Sequence, residues 1–172
     1  MESALLRKLV FTSKVEDFSA RKYKILETID SMTEKPLFDA PGQWTFNTDW
    51  DSRNGIRPYH DTFLPPVMQH SENLMRSLGG AGFEIKNYWF QQYRKGDYHN
   101  WHSHPGCMFS SVFYIELPEG TATKFKIYDE EHELDVQEGD IVSFPSALFH
   151  ASLPNQSNHR KTIISFNLDV AS

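Results

Sequence analysis

Four positions in the second half of the chain carry side chains able to do chemistry together: His102, His104, His150 and Arg160. Two imidazoles two residues apart on a strand point to the same face. A third, distant histidine completes one side of a metal ion. Imidazole is the commonest nitrogen ligand for iron, zinc, copper and nickel. Arg160 follows His150 by ten residues, placed to grip a carboxylate beside the metal. Together these residues point to a mononuclear iron site that binds an acidic co-substrate. Taken singly they carry no such reading: three histidines among eight are unremarkable, and an arginine before a strand is usually solvated.

The segments around them suggest how they are positioned. His102-Ser103-His104 follows Gly96-Asp97 and precedes Pro105-Gly106, which puts the pair at a strand end. His150 follows a turn glycine (Gly139), the apolar run Ile141–Phe144 and Pro145. Arg160, Thr162 and Ile164 alternate onto one face of a core strand. If that face lines the interior, a buried guanidinium needs an anion, and Thr162 adds a hydroxyl to the grip. By the same alternation His99 faces away from His102, and Asn167 away from Arg160, so neither is given a role. Cys107 reads as a small buried cysteine, Trp101 and Phe149 as packing residues flanking the site. His60, His70, His132 and His159 have no supporting pattern.

Residues 1–13 read as an edge strand or a short arm. Phe18, Ile25, Leu26 and Ile29 predict a helix over Val15–Met32. Trp44–Trp50 alternates aromatic and polar residues and predicts a strand, and Asp51–Tyr59 a loop. Pro65-Pro66 is expected to start a second helix, which Gly79-Gly80 ends after Leu78. From Phe83 the pattern turns to short strands: Phe83–Tyr93, Phe109–Leu117, Thr123–Tyr128, Leu134–Val136, Ile141–Phe144 and Thr162–Leu168. Glu130–Glu133 reads as a solvated hairpin end. The expected architecture is one domain over 1–172, mainly β with N-terminal helices. A helical and loop part over 1–82 precedes a double-stranded β-helix, a jelly-roll or cupin-like barrel, over 83–172.

The bulk properties narrow the function classes. The net charge of −6 and the lack of a Lys/Arg cluster disfavour nucleic acid as a partner. A single cysteine permits no internal disulfide. Neither a secretory leader nor an apolar span is visible, so a cytoplasmic location and no membrane partner are expected. Oligomeric state is not readable.

With these residues in place, the chain resembles the iron(II)- and 2-oxoglutarate-dependent oxygenases, in particular the prolyl-4-hydroxylase-like branch. The resemblance rests on His102-Ser103-His104, on His150 at a gap of 48 residues, and on Arg160-Lys161-Thr162. It also rests on Tyr93-Arg94-Lys95-Gly96-Asp97-Tyr98 before the pair and on Ser110-Ser111-Val112-Phe113-Tyr114-Ile115 after it. It covers 83–169, about half the chain. It implies Fe(II) held by His102, His104 and His150, and 2-oxoglutarate held by Arg160 and Tyr114, with Thr162 and Tyr93 as further contacts. It implies a dioxygenase that hydroxylates an amino-acid or peptidyl side chain of a small-molecule or peptide substrate, with release of succinate and CO2. No residue beyond the metal ligands is assigned to catalysis. Removing Arg160 should then abolish 2-oxoglutarate turnover. The pattern departs from the family at His104, where a carboxylate usually stands; His104 as a ligand, Asp97 in its place, or an open position are the three readings. Two rivals stay open: a cupin using the same histidines without 2-oxoglutarate, and a catalytically silent jelly-roll module. A zinc hydrolase lacks a well-placed glutamate base.

Overall fold

Short β-branched and aromatic runs separated by turn residues can bury their side chains only by pairing across two layers. A computed structural model describes residues 4–32, 42–50 and 56–171. The elements in order are α1 (Ala4–Leu9), β1 (Phe11–Lys14), α2 (Phe18–Ser31), β2 (Trp44–Thr45), β3 (Asn47–Thr48), α3 (His60–Leu78) and β4 (Phe83–Tyr93). They continue with β5 (Tyr98–His102), β6 (Phe109–Glu116), β7 (Lys124–Ile127), β8 (Glu130–Glu133), β9 (Asp140–Pro145), β10 (His150–Ser152) and β11 (Lys161–Val170). The strands form two sheets, β1-β9-β6-β11-β4-β3 and β2-β5-β10-β7-β8, with every pair antiparallel. This is the expected double-stranded β-helix. Strands from before residue 83 enter both sheets, so the N-terminal part is built into the barrel rather than set beside it.

Two cores hold the layers. Phe90, Phe113, Ile115, Ile141, Ile164 and Phe166 turn to the outer side of the larger sheet and meet Ile25 and Ile29 of α2 and Phe63, Val67 and Leu74 of α3. Phe46, Val112, Tyr114, Phe125, Phe144 and Ile163 fill the space between the sheets.

Several local expectations change. Of residues 1–13, expected as an edge strand or arm, Ala4–Leu9 form a helix and Phe11–Lys14 the edge strand. The second helix starts at His60, so Pro65 and Pro66 lie inside it. Pro66 cannot donate to the carbonyl four residues earlier; that oxygen, on Thr62, instead accepts from Arg21 Nη1 at 3.3 Å. The helix ends as expected: Gly79 takes the left-handed conformation (φ 71°) and the Gly80 N–H bonds Met75 O at 2.9 Å. The Trp44–Trp50 segment is not one strand. Its halves join different sheets, and buried Phe46 sits where the chain crosses between them. Glu130–Glu133 pairs with β7 as an edge strand, whereas Leu134–Val136 is not a strand. Of the loop expected over 51–59, residues 51–55 lie outside the described residues.

Candidate metal centre

β5 and β10 are neighbours in the smaller sheet, and their register sets His150 directly opposite His102. His104 lies just past the end of β5, where its backbone N–H bonds Ser146 O at 2.9 Å and holds the segment against the β9–β10 connection. One ring nitrogen from each of His102, His104 and His150 falls within 4.8 Å of the others. The ring centroids are 4.2 to 5.1 Å apart.

The hydrogen bonds fix which nitrogens face inward. His102 Nδ1 lies 2.7 Å from Asn100 O, and His150 Nδ1 lies 2.9 Å from Leu148 O. A carbonyl only accepts, so each Nδ1 carries the proton and each Nε2 presents a lone pair. Burial lowers the basicity of all three, His150 to about 3 and His104 to about 4. Neutral, convergent imidazoles at this spacing fit a divalent metal. Asp97 is not among them; its carboxylate accepts from the Arg94 N–H in the preceding turn.

His99 was expected on the far side of β5. Between the pairs His150–His102 and Ser152–His99 the register shifts, three residues on β5 facing two on β10. A bulge of one residue reverses the alternation. His99 therefore stacks on His102, centroids 3.7 Å apart and planes 16° apart. Its Nδ1 meets Gln91 Nε2 at 3.3 Å, and Gln91 Oε1 accepts from Ser165 Oγ at 2.8 Å.

β11 carries the main correction. Thr162, Ile164 and Phe166 face the helices, and Lys161, Ile163, Ser165 and Asn167 face the interior. Arg160, on the helix side, does not reach the histidines. Its Nη1 donates to Asp30 Oδ1 at 2.8 Å and its Nε to Glu116 Oε2 at 2.7 Å, while Thr162 also bonds Glu116. The guanidinium thus has its anions in α2 and β6, and neither Arg160 nor Thr162 lines the cavity. The interior cation is the next residue. Lys161 is 0% exposed, donates to Ser152 Oγ at 2.8 Å and lies 5.1 Å from the centre of the Tyr93 ring. No carboxylate pairs with it among the described residues. Desolvation lowers its basicity to about 7.

The two expected tyrosines are both inside. Tyr93 lines the narrow cavity with the histidines and bonds Ser152, and burial raises its hydroxyl well above the usual range. Tyr114 donates to Thr123 Oγ1 at 2.9 Å, and burial raises it to about 12. Thr123 lines the same narrow cavity. Outside the triad a wider pocket of about 420 Å³ opens, walled by Phe46, Trp50, Trp89 and Pro105 with Asn87 and Asn167. Trp50 and Trp89 meet edge to face at 4.4 Å, and Trp89 stacks on His104. Trp101 instead turns toward Lys126, and Phe149 is half exposed.

The sequence reading did not single out Lys161, Gln91 or Ser152, and it set aside His99 and Asn167, all of which face the interior. One signal was available. The positions 161, 165 and 167 are polar, whereas 164, 166 and 168 are apolar, and a helix-covered face is the apolar one.

No family model and no curated protein matches the sequence. Solved structures match over almost the whole chain. A prolyl-4-hydroxylase from Pseudomonas putida aligns with TM-score 0.70 and 17% identity, covering 95% of this chain and 94% of that one. The viral collagen prolyl hydroxylase of Paramecium Bursaria Chlorella virus-1 aligns with TM-score 0.67 and 13% identity, covering 98% and 100%. The non-heme α-ketoglutarate-dependent epimerase SnoN from nogalamycin biosynthesis aligns with TM-score 0.71 and 12% identity, covering 98% and 84%. The chain has the fold shared by prolyl-4-hydroxylases and other 2-oxoglutarate-Fe(II) oxygenases.

Proposed function

We propose that the protein is an Fe(II)- and 2-oxoglutarate-dependent oxygenase acting on a small molecule or a peptidyl side chain. One observation carries the reading beyond the fold. A buried ammonium, Lys161, without a carboxylate partner, bonds Ser152, and Ser152 lies two residues along β10 from His150. Two residues of strand rise roughly 6.8 Å, a span that a five-carbon keto-dicarboxylate bridges with one end at the triad and the other on Lys161. A buried cation of this kind calls for an anion.

In this reading His102 and His150 hold iron through Nε2, their rings oriented by the Asn100 and Leu148 carbonyls, and His104 supplies the third nitrogen. When bound, iron and 2-oxoglutarate supply activation of oxygen with release of succinate and CO2. Lys161 anchors the far carboxylate in place of Arg160, Ser152 and Tyr93 hold the ammonium in position, and Tyr114 acts through Thr123 at the cavity wall. The pocket of about 420 Å³ beside His104 receives the substrate. Its described walls carry aromatic, amide and hydroxyl groups and no charge, which suits an uncharged portion of a small molecule or peptide. The solved relatives include a hydroxylase and an epimerase, so the fold leaves the oxidative outcome open, with hydroxylation the default.

Anaerobic titration of Fe(II) with and without 2-oxoglutarate tests the proposal. A visible charge-transfer band that needs both components supports it. Iron binding with no band supports a three-histidine metalloprotein that does not use the keto acid. No iron binding supports a silent jelly-roll module.

A further inference from the structure

His99 and the side chains that hold it form a cluster with no part in the reaction proposed above. The bulge between β5 and β10 turns its ring inward, where it meets Phe46, centroids 5.1 Å apart, and lies flat on His102, centroids 3.7 Å apart. It lines both the narrow cavity and the wider pocket, so it stands where the two join. Its orientation is set from the larger sheet. Ser165 Oγ donates to Gln91 Oε1 at 2.8 Å, and Gln91 Nε2 donates to His99 Nδ1 at 3.3 Å. An amide N–H only donates, so that ring nitrogen presents a lone pair and is already taken. The three nitrogens that converge are those of His102, His104 and His150, so His99 is not a fourth ligand. Two neutral imidazoles gain little by stacking. The gain rises once one of them binds a divalent cation, because the metal draws charge from the His102 ring and leaves it electron-poor over an electron-rich face, the attraction that draws a cation to an aromatic ring. The flat neighbour also adds a second restraint on the plane of His102, beside the bond from its Nδ1 to Asn100 O.

We propose that His99 is a positioning residue of the metal centre: tethered through Gln91 to Ser165, it presents a ring face that sets the plane of His102 and stabilises that imidazole when a divalent metal is bound. The proposal rests on the reading of His102, His104 and His150 as ligands. It gives the polar row Ser165, Gln91 and His99 a task, which is to carry the rigidity of the larger sheet across the interior to a ligand on the smaller one.

The test is anaerobic titration of Co(II) alone into the whole protein, with no co-substrate, followed by its visible d–d bands, which report ligand geometry. His99→Leu keeps bulk and removes the ring face; we expect Co(II) affinity to fall about tenfold and the bands to shift. His99→Phe keeps a ring face and loses the tether. It should hold Co(II) affinity and bands near native while lowering thermal stability, because Gln91, 3% exposed, loses the acceptor for its amide. A purely structural role would lower stability in both variants and leave the Co(II) bands of the folded protein unmoved; that result overturns the proposal, as does equal weakening by leucine and phenylalanine. Should His99→Leu not fold, Gln91→Met decides. It frees the His99 ring from Ser165, so Co(II) affinity should drop below native and the bands should broaden, and native values there overturn the proposal. Native Co(II) binding with insensitive variants removes His99 alone from the centre. Absence of Co(II) binding in the native protein overturns the ligand reading and the proposal with it.

Discussion

The two faces of β11 are both buried, yet they do opposite work. On the outer face Ile164, Phe166 and Leu168 pack against α2 and α3, and the charge at its head, Arg160, is answered by Asp30 and Glu116. On the inner face Ser165 and Asn167 bond other side chains, and the charge at its head, Lys161, has only Ser152 and the Tyr93 ring. One face spends its polar groups on closing the fold. The other holds an ammonium for which the described residues supply no carboxylate. Two adjacent cations of nearly equal chemical type thus belong to different parts of the protein's economy, and the difference lies in whether the fold itself supplies the anion.

Substitutions along β11 test that division. Phe166→Ala removes a fully buried ring from the outer core and should cost about 3–5 kcal/mol of stability in chemical denaturation, with metal affinity of the folded fraction unchanged. A loss of metal affinity without loss of stability would erase the distinction between the faces. Lys161→Met on the inner face should weaken 2-oxoglutarate binding on the order of a hundredfold while leaving the fold intact, since only the ligand's far carboxylate loses its partner. Retention of tight binding would remove Lys161 from the anchoring role.

The inner charge also predicts a pH dependence. Free Lys161 titrates at about 7, lowered by burial. A carboxylate partner favours the charged form, so above pH 7 binding must take up a proton. The 2-oxoglutarate affinity should therefore fall as pH rises above about 7, by up to roughly tenfold per unit. A flat profile from pH 7 to 9 would separate Lys161 from binding. The smallest effect belongs to the outer charge: Arg160→Ala should cost roughly 1 kcal/mol of stability, because Asp30 is half exposed and its pair is screened. The charge-transfer band should persist in that variant. Its disappearance would return Arg160 to the site.

Much of the site was legible because metal chemistry depends on residue type and short spacing. The pair His102 and His104 and the later His150 stand out by both, and the structure brings them together. The turn glycines and short strands likewise signalled a barrel. The misplacement of Arg160 and Thr162 has a physical cause. Both faces from Lys161 to Leu168 are buried, and Thr162 on the apolar face and Ile163 on the polar one interrupt the alternation at the head of the strand, where Arg160 and Lys161 had to be told apart. His99 was misplaced for a different reason: the bulge opposite Ser152 is a property of strand pairing and leaves no mark on β5 alone.

The sequence by itself determined the candidate ligand types, their order along the chain, the absence of a carboxylate beside His102 and the strand-rich architecture, since these follow from side-chain chemistry and local backbone preference. Only the tertiary structure decided which of Arg160 and Lys161 enters the barrel and that His99 stacks on His102. It also decided that Phe46, Trp50 and Trp89 come to share one pocket wall. Those outcomes depend on register and on which sheet face the helices cover, and both are set by long-range packing between segments far apart in the chain.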